Sequence, residues 1–176
     1  INGKWGTNNT KGKQVVTPRF DGIMQYKNDQ AIFYQSDLEQ RAKYGIIDRE
    51  GKVVLEANYS YLKFDTQTGY YIAQMKDNDS WGIIAGNGEI QLPFTYKEIK
   101  LISTGIFAIK NQEAKWGIYK ASSKKKIEAM YPHKLDSVGP EFNNEFVVKA
   151  NQHYAFMDVE GKLTTPFKYK KLLKNS

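Results

Sequence analysis

Five copies of one short pattern run along this chain, and a repeat of this kind dictates the fold before any single element is assigned. An aromatic residue followed by a small one occurs as Lys4-Trp5-Gly6, Lys43-Tyr44-Gly45, Ser80-Trp81-Gly82, Lys115-Trp116-Gly117 and His153-Tyr154-Ala155, at spacings of 39, 37, 35 and 38 residues. A glycine lies six positions beyond the small residue in four copies, as Gly12, Gly51, Gly88 and Gly161. A second aromatic lies 15 positions beyond the first, as Phe20, Tyr59, Tyr96 and Tyr169. In the fourth copy Ser123 replaces the glycine, and Leu135 stands 19 residues after Trp116, so four residues are inserted around Ser122-Ser123-Lys124-Lys125-Lys126. A hairpin tip absorbs such an insertion without disturbing its strands.

Asp48-Arg49-Glu50-Gly51, Asp158-Val159-Glu160-Gly161 and Asn9-Thr10-Lys11-Gly12 place Asp or Asn first and Gly fourth, the signature of a type I turn. The third copy has Ala85 in the first position but carries Asn87-Gly88, itself a strong hairpin signal. The flanks, such as Tyr44-Gly45-Ile46-Ile47 and Lys52-Val53-Val54-Leu55, then pair as strands. A third strand follows at Ala31–Tyr34, Tyr70–Ala73, Ile106–Ile109 and Glu145–Val148, and segments around 20–23, 59–62 and 96–99 add a fourth. Ser36-Asp37-Leu38-Glu39-Gln40-Arg41 has a capping serine with Glu three later and is expected as a single helical turn between strands.

Glycine weakens a strand unless a bulge or close approach requires it. Ala155 in the fifth copy points to a demand for space, with an aromatic ring of one repeat lying against its neighbour's backbone. A buried ring removes roughly 150–250 Å² from water, a gross contribution of about 4–6 kcal/mol at about 25 cal/mol per Å². Trp5, Tyr44, Trp81, Trp116 and Tyr154, with Gly6, Gly45, Gly82 and Gly117 and the downstream Phe20, Tyr59, Tyr96 and Tyr169, are therefore expected to form the repeat core.

These residues and intervals resemble the bacterial WG β-repeat family, whose units centre on a Trp-Gly, a turn glycine and a downstream Pro-aromatic-Asp stretch. The best copy runs from Lys4-Trp5-Gly6 to Pro18-Arg19-Phe20-Asp21; the second has Ala57 where proline is usual, and the fifth lacks both Trp and Gly. The resemblance implies a repeat architecture and no common activity, substrate or catalytic residue. The expected fold is all-β: one array over 1–176 of five units of about 35–39 residues (1–39, 40–76, 77–111, 112–149, 150–176), built of antiparallel hairpins or meanders. An open solenoid-like stack is favoured over a small closed propeller, because the third strand occurs four times against five Trp-Gly hairpins.

Composition narrows the chemistry. There is no cysteine, so disulfides, thiol nucleophiles and thiolate metal sites are excluded. No run of about 18 apolar residues is present, so no membrane-spanning helix is encoded. The chain begins at Ile1 rather than Met, as a processed or partial chain does, and an envelope or secreted location is the expectation if a leader was removed. Net charge is +7, with the excess in the C-terminal half, and only Arg19, Arg41 and Arg49 among the 26 basic residues are arginines. Lysine is a hydrated point charge poorly suited to forked recognition.

His133 and His153 are the only histidines, 20 residues apart in different repeats, with no metal-ligand or nucleophile-base spacing. Ala85-Gly86-Asn87-Gly88 is a hairpin turn rather than a phosphate loop. Asp48 and Asp158 have a turn role that already accounts for them. No catalytic residue, cofactor or metal is assigned. The one candidate contact is an anion-binding set of Lys120, Lys124, Lys125 and Lys126. Lysines and aromatics are not interleaved, which disfavours nucleic acid. The expected function is a non-catalytic repeat module binding a protein or polymer. The alternatives are a basic module for an anionic envelope polymer and a glycan-directed hydrolase with a dispersed carboxylate pair.

Overall fold

The computed structural model describes residues 3–121 and 127–172, and every regular element among them is a β-strand. In chain order these are β1 (Trp5–Asn8), β2 (Gln14–Phe20), β3 (Gly22–Ile23), β4 (Gln30–Ser36), β5 (Ala42–Asp48), β6 (Val53–Asp65), β7 (Tyr70–Met75), β8 (Trp81–Ala85) and β9 (Ile90–Tyr96). They continue with β10 (Glu98–Ser103), β11 (Ile106–Lys110), β12 (Trp116–Ala121), β13 (Ile127–Leu135), β14 (Ser137–Phe142), β15 (Glu145–Ala150) and β16 (His153–Asp158). Contacts divide the chain into Ile1–Phe94 and Thr95–Ser176. The first unit holds the β1-β2 pair and a sheet ordered β3 through β9; the second holds β10-β11-β12-β13 and β14-β15-β16. Among the described residues the strand pairings are antiparallel between sequence neighbours, and no sheet closes on itself.

Sheet boundaries are offset from the sequence repeat. The strands β5, β8 and β12 that carry Tyr44, Trp81 and Trp116 are each third in a run of four paired strands, so there the first two strands come from the end of one repeat and the last two from the start of the next. The long β6 makes this visible: residues up to Tyr59 pair with β5, residues from Tyr59 pair with β7, and Tyr59 itself is paired on both sides.

Turn chemistry follows the residues. Gly12, Gly51, Gly88 and Gly161 have φ between +77° and +90°, and each donates its N–H to the carbonyl three residues back. Asn9 Oδ1 accepts from Lys11 and Lys13, Asp158 Oδ1 from Glu160 and Lys162, and Asp48 Oδ1 from Lys52. The expected helical turn at Ser36–Arg41 is instead a hairpin tip. Asp37, not Ser36, organises it, accepting from the Glu39 and Arg41 amides, while Gln40 takes φ +61°. A short carboxylate between two strands that are already paired closes a turn more readily than a lone helical turn, which cannot propagate. The insertion at Ser122–Lys126 lies outside the described residues.

The Trp-Gly glycine also has a cause that its sequence conceals. Trp5 pairs with Phe20 and Thr7 with Val16, so three residues of the return strand oppose Gly6 alone. The same three-against-one bulge faces Gly45 between Tyr44↔Tyr59 and Ile46↔Leu55, and Gly117 between Trp116↔Leu135 and Ile118↔Tyr131. A Cβ at Gly6 would lie 2.2 Å from the Val16 carbonyl, and at Gly45 2.6 Å from the Leu55 carbonyl. The demand is for space, but the approaching group is the bulged backbone of the same hairpin rather than a ring from a neighbouring repeat. Pro18 and Pro132 sit in these bulges, where no ladder donor is needed. In the fifth copy the Phe156 amide bonds the Thr165 hydroxyl at 2.9 Å, and no Phe156↔Thr165 strand pair forms. The Phe156 carbonyl accepts from the Thr164 amide at 2.9 Å, and the Ala155 side chain is buried.

The core lies between successive sheets, not in the Trp/Tyr ladder as a whole. In the first unit Val16 and Phe20 pack on Ala31, Phe33 and Ile47, while the opposite face of the same sheet sets Ile32 and Ile46 against Leu62, Tyr71, Ala73 and Ile84. Burial on both faces explains the unbroken apolar runs of β4, β5, β7 and β8. In the second unit Ile106, Ala108, Trp116, Ile118 and Leu135 pack on Phe146, Val148, Ala155 and Met157. Each fully buried isoleucine or phenylalanine contributes about 1.5–3 kcal/mol. Of the repeat aromatics, Trp116 is 8% exposed and Phe20 is buried, Tyr44, Tyr59, Trp81, Tyr96, Tyr154 and Tyr169 are half-buried, and Trp5 is 59% exposed. The core expectation does not hold for Trp5, which stands at the start of a two-stranded pair and is no part of the Val16, Phe20 and Phe33 cluster.

Candidate functional site

Charged groups that the sequence singles out are mostly engaged with one another. Lys120 Nζ lies 2.8 and 2.9 Å from the two Glu160 carboxylate oxygens, while Lys124, Lys125 and Lys126 lie outside the described residues. Lys4 pairs with Asp21 and Lys115 with Asp136, joining the lysine before a Trp-Gly to the Asp at the end of its hairpin. Asp37 meets Lys76. In all three carboxyls the lysine hydrogen bond is the first cause holding the pKa below the ordinary value of 3.8. His133 Nδ1 lies 3.3 Å from the Tyr119 hydroxyl and its ring stacks on Tyr96, whereas His153 Nδ1 lies 2.9 Å from the Asn151 carbonyl. Among the described residues no cluster of three or more His, Asp or Glu is placed to hold a metal.

A cavity of about 370 Å³ opens in the first unit between the β3-β4 edge of one meander and the β6-β7 edge of the next. The offset between sheet and repeat creates it, because β6 turns away from β5 at Tyr59 and carries Leu62, Lys63 and Phe64 to the wall opposite Ile32. Met24, Ile32, Leu62 and Phe64 supply apolar surface, and the Phe64 and Tyr71 rings lie 4.7 Å apart. Gln30 and Tyr71 add polar groups to the lining. The buried Tyr71 hydroxyl donates to Gln30 Oε1 at 3.1 Å, and Gln30 Nε2 donates to the Gly86 carbonyl at 2.5 Å. Burial pushes the Tyr71 phenol up to about 12, so it stays a neutral donor. Gln30 spends one of its two amide N–H donors on Gly86.

Lys27 and Lys63 complete the lining, and no acidic residue contributes to it. Among the described residues neither lysine has a carboxylate within 4 Å. Asp29, two residues from Lys27, is taken by Arg49 at 2.5 Å. Lys27 is set by a tight turn in which its amide and carbonyl bond Gln30 while Asn28 and Asp29 take φ of 46° and 63°.

Residues 5–37 and 44–78 match the family model described as "WG containing repeat". These two stretches are WG repeats. The matched stretches contain the turn, the Trp-Gly or Tyr-Gly strand and most of the cavity wall, from Met24 to Tyr71. No curated protein matches the sequence. Among solved structures, the crystal structure of the WD40 beta propeller domain of Doa1 is similar at 11% identity with a TM-score of 0.36, over 86% of this chain and 56% of that one. The chain thus spans little more than half the length of that structure.

The anion-binding set of Lys120, Lys124, Lys125 and Lys126 shares no residue with the cavity lining. Gln30, Lys27 and Lys63 belong to no motif of the WG repeat. In register with Gln30, which pairs with Asp48, the next three copies have Tyr70, Ile106 and Glu145, paired with Ala85, Lys120 and Asp158, so the amide is specific to one position in the array. The available signal was that contrast: a long neutral polar side chain where the next two repeats carry an aromatic and an aliphatic one.

Proposed function

We propose that this WG-repeat chain is a non-catalytic binding module that takes its ligand in the cavity between β3-β4 and β6-β7. The observation that carries this is the lining itself. An apolar chamber of about 370 Å³ with converging Gln30 and Tyr71 polar atoms and two acid-free lysines has the size and make-up of a small-ligand site, for which about 300–1,000 Å³ is usual. The repeat then acts as scaffold, its strands holding rigid walls while side chains at one inter-sheet gap confer recognition.

The absence of acid from the lining weighs against hydrolysis at this site. A glycosidase needs two carboxyls facing the scissile bond, one with a raised pKa. Asp21, Asp37 and Asp136 are instead held low by lysine, and the Asp48 and Asp158 side chains are bonded to turn amides. Binding is tested by presenting the chain with a library of small organic molecules, soluble glycans and peptides, then repeating with Met24→Trp. Met24 is 46% exposed at the rim, so a larger ring there blocks the mouth without disturbing the core. Ligands should be lost in Met24→Trp with unchanged melting. A ligand that binds both forms equally, or any glycan that is turned over, refutes the proposal.

A further inference from the structure

The chemistry of the same cavity narrows its ligand, an inference that rests on the reading just given. Four apolar side chains form the walls, Lys27 stands in the turn before β4 and Lys63 on β6, and among the described residues neither ammonium has a carboxylate within 4 Å. A neutral apolar ligand would gain nothing from either charge, and a cation would be repelled by both. We infer that the cavity takes a small amphipathic organic anion, with an aromatic or aliphatic body lodged against Ile32, Leu62 and Phe64 and its anionic head at Lys27 and Lys63.

Each part of the lining has a role in this selection. The walls favour an unbranched or planar apolar body, because Phe64 offers an edge to which a second ring can tilt as Tyr71 already does at 4.7 Å. Lysine ammoniums attract charge without imposing a fork geometry, so the head group is defined by its sign more than by its shape. The remaining Gln30 N–H is a neutral donor in the lining, open to a polar atom of the ligand. Gly86 matters here as well, because a Cβ on it would lie 3.3 Å from Gln30 Oε1 and crowd the amide that orders the floor.

Phenylbutyrate, phenylbutyramide and phenylbutylamine share one apolar body and differ in the charge of the head. Titrating them into the isotope-labelled full chain, with amide and methyl shifts as readout, separates cavity from charge. Phenylbutyrate should shift Gln30, Ile32, Leu62 and Lys63 and bind about tenfold more tightly than the amide, as expected of two partly screened lysine contacts. The amine should bind more weakly than the amide. Preference for the anion should shrink with added salt. In Lys27→Met with Lys63→Met, both exposed positions, anion and amide should bind alike. Equal affinity of anion and amide for the parent chain overturns the anion assignment while leaving the cavity as a binding site. Shifts confined to residues elsewhere, or no binding by any of the three, overturn both.

Discussion

Gly45→Ala tests whether the Trp-Gly glycine is a matter of space. Gly45 has no positive φ, so alanine is conformationally acceptable there. Its Cβ would nevertheless lie 2.5 Å from Phe33 Cζ and 2.6 Å from the Leu55 carbonyl oxygen. Phe33 is buried and its ring is 4.3 Å from Phe20, so it cannot swing aside. The carbonyl belongs to a bulge pinned by pairs on both sides. Overpacking of this kind costs about 1–3 kcal/mol, and two immobile neighbours place this site toward the upper end. Gly12 is the counterexample: nothing lies within 4 Å of its Cβ position, but φ is +77°, and alanine there costs about 1–2 kcal/mol for left-handed backbone alone. The two mechanisms separate with asparagine, which tolerates positive φ. Gly12→Asn should recover most of the loss, whereas Gly45→Asn should be worse than Gly45→Ala. Equilibrium urea unfolding followed by circular dichroism gives both values. A Gly45→Ala loss below about 0.5 kcal/mol, the ordinary range for surface changes, or rescue by asparagine, would refute the close-approach account.

Trp116→Ala should cost about 3–5 kcal/mol as a large-to-small core change, Trp81→Ala less, and Trp5→Ala within about 0.5 kcal/mol, all read from the same unfolding curves. Tyr70→Phe should be neutral or stabilising by about 1 kcal/mol, because among the described residues its buried hydroxyl has no partner and removing an unpaired group removes its desolvation cost; a clear loss would mean the hydroxyl is bonded in solution. Burial lowers the His133 pKa from 6.5, and Nε2 is buried without a partner. The unfolded chain therefore takes up a proton first, so stability should be full above pH 6.5 and decline as pH falls from there toward the folded-state pKa. His133→Asn should flatten that decline, and asparagine also suits the φ of +26° at this bulge position; an unchanged pH profile would exclude His133 as its source.

Elements were legible in sequence wherever the cause is local. Asp48 or Asn9 three positions ahead of a glycine specifies the same turn wherever it falls, and Ile46-Ile47 or Ile106–Ile109 extend as strands because β-branched side chains suit them. Ser36–Arg41 misled because its Ser-x-x-Glu spacing is a helix start only when a helix follows, and here strand pairing of Tyr34 with Tyr44 closes the segment first. The cavity was invisible because Lys27, Gln30, Lys63 and Tyr71 come from positions up to 44 residues apart and carry no spacing of their own.

By itself the sequence determined the repeat period, the hairpin turns, the antiparallel all-β class and the strands that form the core. Those features depend on interactions within a few residues, repeated often enough to be read. Tertiary structure decided the rest: where one sheet ends and the next begins, which tryptophan is buried, that the glycine faces a bulged return strand, and that β6 leaves a chamber beside Gln30. Each of these depends on which surfaces meet after the strands have formed, and the packing of two sheets is a property of their pairing that neither strand encodes alone.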